Sequence, residues 1–457
     1  MRHGRCDVQF HPNMRHLRRA IAAFSIFVIG TTLSLQNSRV MAGYATPHPQ
    51  TIGVESVVQP SDVRSCRSEG RIKNTSAGKF RCTRLGGRTV WRRMRSTPTN
   101  TTTVPLHTDP TISGSESLLD ISSCRIPDVS IGGTGSSGFP RPESVRSDRG
   151  QVDVLVIPVG FTDLPFSERD SASLKGVFSR VSRYYEAMSY DHASISTTIA
   201  PEDSWVVLDE TLEQNGLINT PPQYDASNFF RRVVELYSQS NDAEAYDVVS
   251  VVSAFSHRFG LAQAHASGAS IYGTNRSFSG MMMLGQYAAS WDVFAHELGH
   301  AWLGFEDLYV FGGGVPLGGW DLMSSAGTEM SGWSRFLAGW IDDNRVRCVK
   351  PRIKSRHYLA SLNAGRTIEQ PRALVVPISS HAALVVELRT PGEWVGVDRP
   401  YVIVYRVDTS INHGEGPIRF VGLVSRVGAE IVSNSVRVSL ASLGDAGVIV
   451  EVDGVAD

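Results

Sequence analysis

The sequence predicts an α+β protein in which a mixed-sheet domain is followed by a β-sandwich-like C-terminal domain. Between residues 151 and 345, apolar runs of strand length alternate with segments of helical periodicity. After residue 345, seven short apolar runs follow one another with no helical pattern between them. The last long helix of the first region contains the pattern HELGH at residues 296–300. These three observations set the domain order and place the candidate chemistry in the first domain.

The N-terminus has the pattern of a secretory signal peptide. Arg15, Arg18 and Arg19 precede an apolar run over residues 20–35, and Val40-Met41-Ala42 follows with the pattern of a cleavage site. We therefore expect a signal peptide over residues 1–42 and an extracellular, secreted protein. An uncleaved membrane anchor is the alternative, but the run is short for a membrane span.

Two segments separate the signal peptide from the first domain. Residues 43–95 form a small basic module in which Gly86-Gly87 predicts a turn between short strands. Its positive charge would suit attachment to an anionic cell surface, although a solvated basic face needs no partner. Residues 96–150 are rich in Ser, Thr, Pro and Gly, which indicates a linker or a removable pro-region. The net charge of the whole chain is −1, so we expect no nucleic-acid partner.

Four cysteines lie beyond the predicted signal peptide, and they allow three pairings. We expect Cys66–Cys82 as a local disulfide and Cys124–Cys348 as a long-range one. The alternative is a cysteine switch, in which Cys124 caps a metal ion in a latent form and Cys348 stays unpaired.

The elements of the mixed-sheet domain follow from local patterns. In chain order, these are a buried strand (152–159), an amphipathic helix (174–188), a short strand (193–199), a helix that Asp225 could cap, a buried strand (246–253), a small-residue segment (260–280) and a helix that Ser290 could cap. The predicted strands of the C-terminal domain, residues 346–457, are 374–378, 383–388, 401–407, 421–426, 430–433, 436–439 and 447–452. Glu387 and Arg389 are expected to form a structural ion pair at the domain interface.

The HExxH pattern points to zinc chemistry. Residues four apart on a helix share a face, so His296 and His300 could bind one Zn²⁺ together. Glu297 lies beside that face, where it could accept a proton from a metal-activated water. An HExxH pattern alone also occurs by chance, so the neighbouring residues decide whether this one indicates a metal site.

Two features downstream of this helix favour a complete site. Gly304 would break the helix, and Asp307 follows as a candidate third ligand. The sequence GGWDLM at residues 318–323 ends in Met323 and resembles a Met-turn, an apolar floor beneath a zinc ion.

With these motifs, the chain is similar to the immune-inhibitor-A-type family of secreted bacterial metalloproteases, a metzincin-like group. The resemblance extends over about residues 152–408 and includes VLVIPVGFTD, YYEAMSYDHASIS, HELGHAWLGFEDLY, GGWDLM, SGWSRFLAGW, VVELR and YVIVYRVD. It implies a metzincin-like fold and zinc-dependent endopeptidase activity, with His296 and His300 as ligands and Glu297 as general base. Calcium is a further cofactor only by analogy, because the sequence has no Asp-rich calcium loop.

One departure from the family concerns the third ligand. The family pattern HExxHxxGxxD places its aspartate six residues beyond the second histidine, whereas Asp307 lies seven residues beyond His300. The string LGFEDLY aligns with the family's run from glycine through aspartate to tyrosine, which favours Asp307. Strict spacing offers Glu306 instead. Both carboxylates are acceptable zinc ligands.

The sequence thus predicts a secreted zinc endopeptidase, expected to be a monomer, that acts on protein or peptide substrates. The alternative is a surface-binding, adhesin-like protein with a vestigial protease core. A gluzincin-type peptidase would need a glutamate ligand on a later helix, and GGWDLM argues against it.

Overall fold

The computed structural model describes most of the chain from residue 113 onwards and one small sheet before it. The described residues are 72–75, 78–85, 88–93, 113–131, 135–141, 148–218, 226–270, 277–444 and 447–455. The predicted signal peptide, the Cys66–Cys82 pairing and the Asp225 cap lie outside these residues. No helix in the described part is long and apolar enough to cross a membrane.

The chain divides into two compact units, one over Thr32–Thr108 and the other containing Asp109–Asp457. In the first, an antiparallel sheet is formed by β1 (Ile72–Thr75), β2 (Gly78–Leu85) and β3 (Arg88–Arg93). Strands β2 and β3 form a hairpin that pairs from Leu85 and Arg88 to Phe80 and Arg93.

The larger unit begins with a mixed sheet in the order β5-β4-β7-β9-β8, and β6 also pairs with β4. Its strands are β4 (Gly150–Gly160), β5 (Ala193–Ile199), β6 (Val206–Val207), β7 (Val248–Ser253), β8 (Gly260–Ser270) and β9 (Ser277–Gly285). Strand β8 is antiparallel to β9, and the other pairings are parallel. The mixed sheet is as predicted, but residues 260–280 contain strand structure that the sequence did not predict. Gly, Ala and Ser have weak strand propensity, and here pairing within the sheet outweighs it.

The helices are α1 (Glu168–Met188), α2 (Ala226–Ser238), α3 (Trp291–Leu303) and α4 (Gly332–Leu337). A capping box between Ser167 and Asp170 begins α1. Helices α1 and α3 share one hydrophobic core with Val154 and Val156 of β4, whereas α2 packs with Leu155 on the opposite face of the sheet. The side chains of β4 alternate between these two cores because successive strand residues point to opposite faces.

The C-terminal part is a sandwich of two sheets, as predicted. Their strands are β10 (Val346–Cys348), β11 (Ser355–Ala360), β12 (Ala373–Pro377), β13 (Ala382–Arg389), β14 (Tyr401–Asp408), β15 (Ile418–Val424), β16 (Glu430–Ser433), β17 (Val436–Leu443) and β18 (Gly447–Gly454). One sheet has the order β10-β12-β13-β14-β15 and the other β11-β18-β17-β16. A core of valine, leucine and isoleucine side chains lies between them. Strands β10 and β11 were not predicted from the sequence.

The five-stranded sheet is covered on both faces. Leu384 and Val386 of β13 point into the sandwich core, and Val385 points into the core that contains α1 and α3. Every residue of β13 is buried. The mixed-sheet region and the sandwich therefore share a continuous hydrophobic core.

A disulfide joins Cys124 to Cys348, with their Cα atoms 5.7 Å apart, so this predicted pairing is confirmed. The cysteine-switch alternative is wrong, because the sulfur of Cys124 is already bonded. The bond ties the segment before the mixed sheet to β10.

Candidate metal centre

Helix α3 places both histidines on one face and then ends abruptly. Gly304 follows its last turn with φ 65° and ψ 30°, a left-handed conformation that glycine adopts without steric cost. The amide of Gly304 donates to the His300 carbonyl, and the amide of Phe305 donates to the Gly299 carbonyl. The chain is thereby turned back towards the histidines.

Backbone carbonyls orient the two imidazole rings. Nδ1 of His296 donates to the Leu322 carbonyl at 3.1 Å, and Nδ1 of His300 donates to the Phe305 carbonyl at 2.6 Å. A neutral imidazole that donates through Nδ1 leaves its Nε2 lone pair free to bind a metal.

The free nitrogen atoms converge on one carboxylate. Nε2 of His296 and Nε2 of His300 lie 3.2 Å apart, and each lies 3.1 Å from Oδ1 of Asp307. Among the described residues, these three form the one group of His, Cys, Asp or Glu side chains placed to hold a metal ion. Two imidazole nitrogens and a carboxylate oxygen, with carbonyls behind both rings, are a donor set that suits zinc.

The structure separates the two candidates for the third ligand. Asp307 joins the histidines, whereas the buried Glu306 carboxylate accepts a hydrogen bond from Nδ1 of His413. The helix extends to Leu303 and ends at Gly304, four residues beyond His300 instead of three. When the chain then turns back, residue 307 rather than residue 306 reaches the cluster.

The pKa values of the cluster reflect the mutual attraction of the two imidazoles and the carboxylate. Burial alone would lower the pKa of His300, but the Asp307 carboxylate outweighs burial and raises this pKa to about 10. The pKa of His296 is raised for the same reason. Burial would raise the pKa of Asp307, but the two imidazoles hold it well below its usual range. A metal ion would replace the protons that this arrangement favours.

Two further side chains border the cluster. Glu297 is buried, and burial raises its pKa although the histidines oppose the shift. The ring of Tyr309 stacks on His296 with centroids 6.1 Å apart. Burial and the Asp307 carboxylate raise the pKa of the Tyr309 hydroxyl, which keeps it protonated.

The Met-turn segment, residues 318–323, lies under α3. The Met323 side chain is buried against Gly299, and the Met323 carbonyl accepts from the Leu308 amide at 3.0 Å. Asp321 is fully buried and accepts hydrogen bonds from the amides of Met323 and Ser331. The role of Asp321 was not predicted from the sequence, in which the only signal was an acidic residue within a turn expected to pack as an apolar floor.

A buried ion-pair network supports this segment from the sandwich. Arg389 bonds Glu387 at 2.6 Å, so the predicted ion pair is confirmed. Arg389 also contacts the Glu329 carboxylate at 2.8 Å and donates to the Trp320 carbonyl at 2.8 Å. Arg335 contacts the other oxygen of Glu329. Glu329 and Arg335 were not predicted from the sequence.

Residues 206–302 match the family described as "Metallo-peptidase family M12B Reprolysin-like". The matched segment runs from β6 almost to the end of α3, so it contains His296, Glu297 and His300 and stops before Asp307. The chain has no match among curated proteins. The chain thus contains a segment that is similar to reprolysin-like metallopeptidases, and its His296–His300–Asp307 cluster is consistent with a zinc site.

Proposed function

We propose that the protein is a secreted zinc endopeptidase of the immune-inhibitor-A type, in which His296, His300 and Asp307 hold one zinc ion. The observation that carries the proposal is the convergence of the three ligand atoms next to Glu297. When bound, zinc would activate a water molecule and polarise the scissile carbonyl.

The chain's own groups do the remaining work. Glu297 accepts a proton from the attacking water and delivers it to the leaving amine, a role that suits a buried carboxyl whose pKa is raised. The Leu322 and Phe305 carbonyls keep the imidazoles in their ligand tautomers. Tyr309 stacks on His296 and restricts the rotation of this ring.

A sheet edge beside α3 suits an extended peptide substrate. Strand β8 is an edge strand, and its residues Ala262 and Ala264 pack against the core that contains α3. An edge strand offers backbone donors and acceptors that can pair with a peptide in β conformation. This supports peptide-bond hydrolysis in proteins or peptides as the reaction.

Export of the protein is proposed on two grounds, the signal-peptide pattern and the Cys124–Cys348 disulfide. Attachment to an anionic cell surface through the basic module is a further proposal, and it rests on the charge of residues 43–95 alone.

Casein cleavage by the wild type and by Glu297→Gln tests the proposed function. We expect zinc-dependent cleavage by the wild type and a loss of about 10²–10⁴-fold in the variant, because the proton acceptor is removed. Zinc content measured in parallel should be the same in both proteins, since Glu297 is not a ligand. A wild type that binds zinc and cleaves neither casein nor a peptide library would exclude the peptidase and favour the adhesin-like alternative.

A further inference from the structure

The segment that carries Asp307 is held by parts of the chain outside the family match. We call residues 304–311 the return segment. On one side, the Ser136 amide donates to the Gly304 carbonyl at 2.8 Å, and the Glu306 amide donates to the Ser136 carbonyl at 3.3 Å. Two bonds to one residue fix the backbone immediately before Asp307.

On the other side, the return segment contacts the β14–β15 loop, residues 409–417. The Phe311 amide donates to the Gly414 carbonyl at 2.8 Å. The His413 ring packs edge-on against Phe311, with centroids 4.7 Å apart, and its Nδ1 donates to the Glu306 carboxylate. This loop belongs to the sandwich, so the sandwich reaches the residue next to the third ligand.

Gly414 makes this close approach feasible. Its φ is 74°, and a Cβ at this position would lie 2.3 Å from the Phe311 ring. A residue with a side chain would therefore be strained and would push the loop away from the return segment.

The Glu306 side chain has little freedom. It is only 6% exposed, and a buried carboxylate is stable only with a hydrogen-bonding or charged partner. Among the described residues, the hydrogen bond that we find to this carboxylate comes from His413. The bond therefore sets the direction of the Glu306 side chain, and through the backbone it restrains Asp307.

We propose that His413 and Glu306 are positioning residues that hold Asp307 in place for the metal, so that the sandwich completes the metal centre. This rests on the proposed zinc site but not on peptidase activity. The expected role is that of an outer partner of a ligand, whose loss costs about 10–100-fold in metal affinity.

The test compares zinc affinity and the absorption spectrum of the cobalt(II)-substituted full-length protein. His413→Ala should weaken zinc binding by about tenfold or more and should change the cobalt ligand-field bands. His413→Asn keeps an N–H donor near the position of Nδ1 and should restore most of the affinity and the wild-type spectrum. Asp398→Asn, an exposed change in the β13–β14 loop, is the control and should alter neither.

Gly414→Ala provides a second variant that keeps His413 and displaces the loop. It should weaken zinc binding in the same direction, and it decides the matter if His413→Ala does not fold. Wild-type zinc affinity and cobalt spectrum in both His413→Ala and Gly414→Ala would overturn the proposal. So would a His413→Asn variant as weak as His413→Ala, or a control that weakens equally. Failure of the proposed function gives a different result, namely a wild type that binds zinc without cleaving casein.

Discussion

The sulfur of Met323 lies 2.7 Å from the position that a Cβ atom on Gly299 would occupy. Gly299 lies between His296 and His300 on α3, so Met323 contacts the helix between these two candidate metal ligands. A glycine inside a helix usually lowers helix stability. Here its lack of a side chain is what admits Met323.

Gly299→Ala should therefore destabilise the protein despite the better helix propensity of alanine. Propensity favours alanine by about 1 kcal/mol, but overpacking against a buried side chain costs about 1–3 kcal/mol. Gly176→Ala in α1 is the matched control, because its added Cβ would meet no atom within 4 Å beyond the adjoining backbone of its own helix. Denaturant unfolding should show a lower free energy of unfolding for Gly299→Ala and an unchanged or higher one for Gly176→Ala. Equal effects in the two variants would contradict the contact.

Loss of Arg389 should be among the most damaging changes outside the cluster. Its guanidinium is 1% exposed and bonds Glu387 and Glu329, so Arg389→Met leaves the buried Glu387 without its cationic partner and Glu329 with Arg335 alone. Breaking a buried ion pair in this way costs about 3–5 kcal/mol. The exposed Arg399 serves as the control, and Arg399→Met should change unfolding by less than about 0.5 kcal/mol. Similar losses in both variants would show that burial of the network matters little.

His357 on β11 should contribute to acid sensitivity. Burial, with a smaller effect of Arg347, lowers its pKa from 6.5 to about 4. The unfolded chain therefore binds a proton more readily between these pH values, and the stability present above about pH 6.5 is lost as the pH falls towards 4. Urea unfolding at about pH 7 and about pH 4.5 should show a smaller acid loss for His357→Gln than for the wild type, by about 2 kcal/mol. Equal losses would mean that this imidazole is not kept neutral in the folded protein.

Local patterns in the sequence were sufficient for much of the fold and part of the site. The spacing of His296 and His300 is a property of one helix, so their shared face needed no tertiary information. The apolar runs of β4, β7 and β13 predicted buried strands because burial on both faces requires continuous apolar sequence. The place of Asp307 depended on the conformation of Gly304, which spacing alone left open.

The missed features depend on contacts between distant parts of the chain. Strands β8 and β9 are rich in small residues whose strand structure comes from pairing and from packing near α3. His413 lies 107 residues from Glu306, and no local pattern links the two. Glu329 and Asp321 are ordinary acidic residues in the sequence, and their partners become apparent only when the Met-turn segment meets α4 and β13.

Zinc content per chain is the most direct test of the central claim that His296, His300 and Asp307 form the metal site. It should be measured by elemental analysis of the wild type, Asp307→Ala and Glu306→Ala, at free zinc about 1,000-fold above the wild-type dissociation constant. At this concentration, a positioning variant with somewhat weaker affinity still fills its site. We predict about one zinc ion in the wild type and in Glu306→Ala, and a small fraction of that in Asp307→Ala. A wild type without zinc, or a Glu306→Ala variant that loses zinc while Asp307→Ala keeps it, would contradict the account.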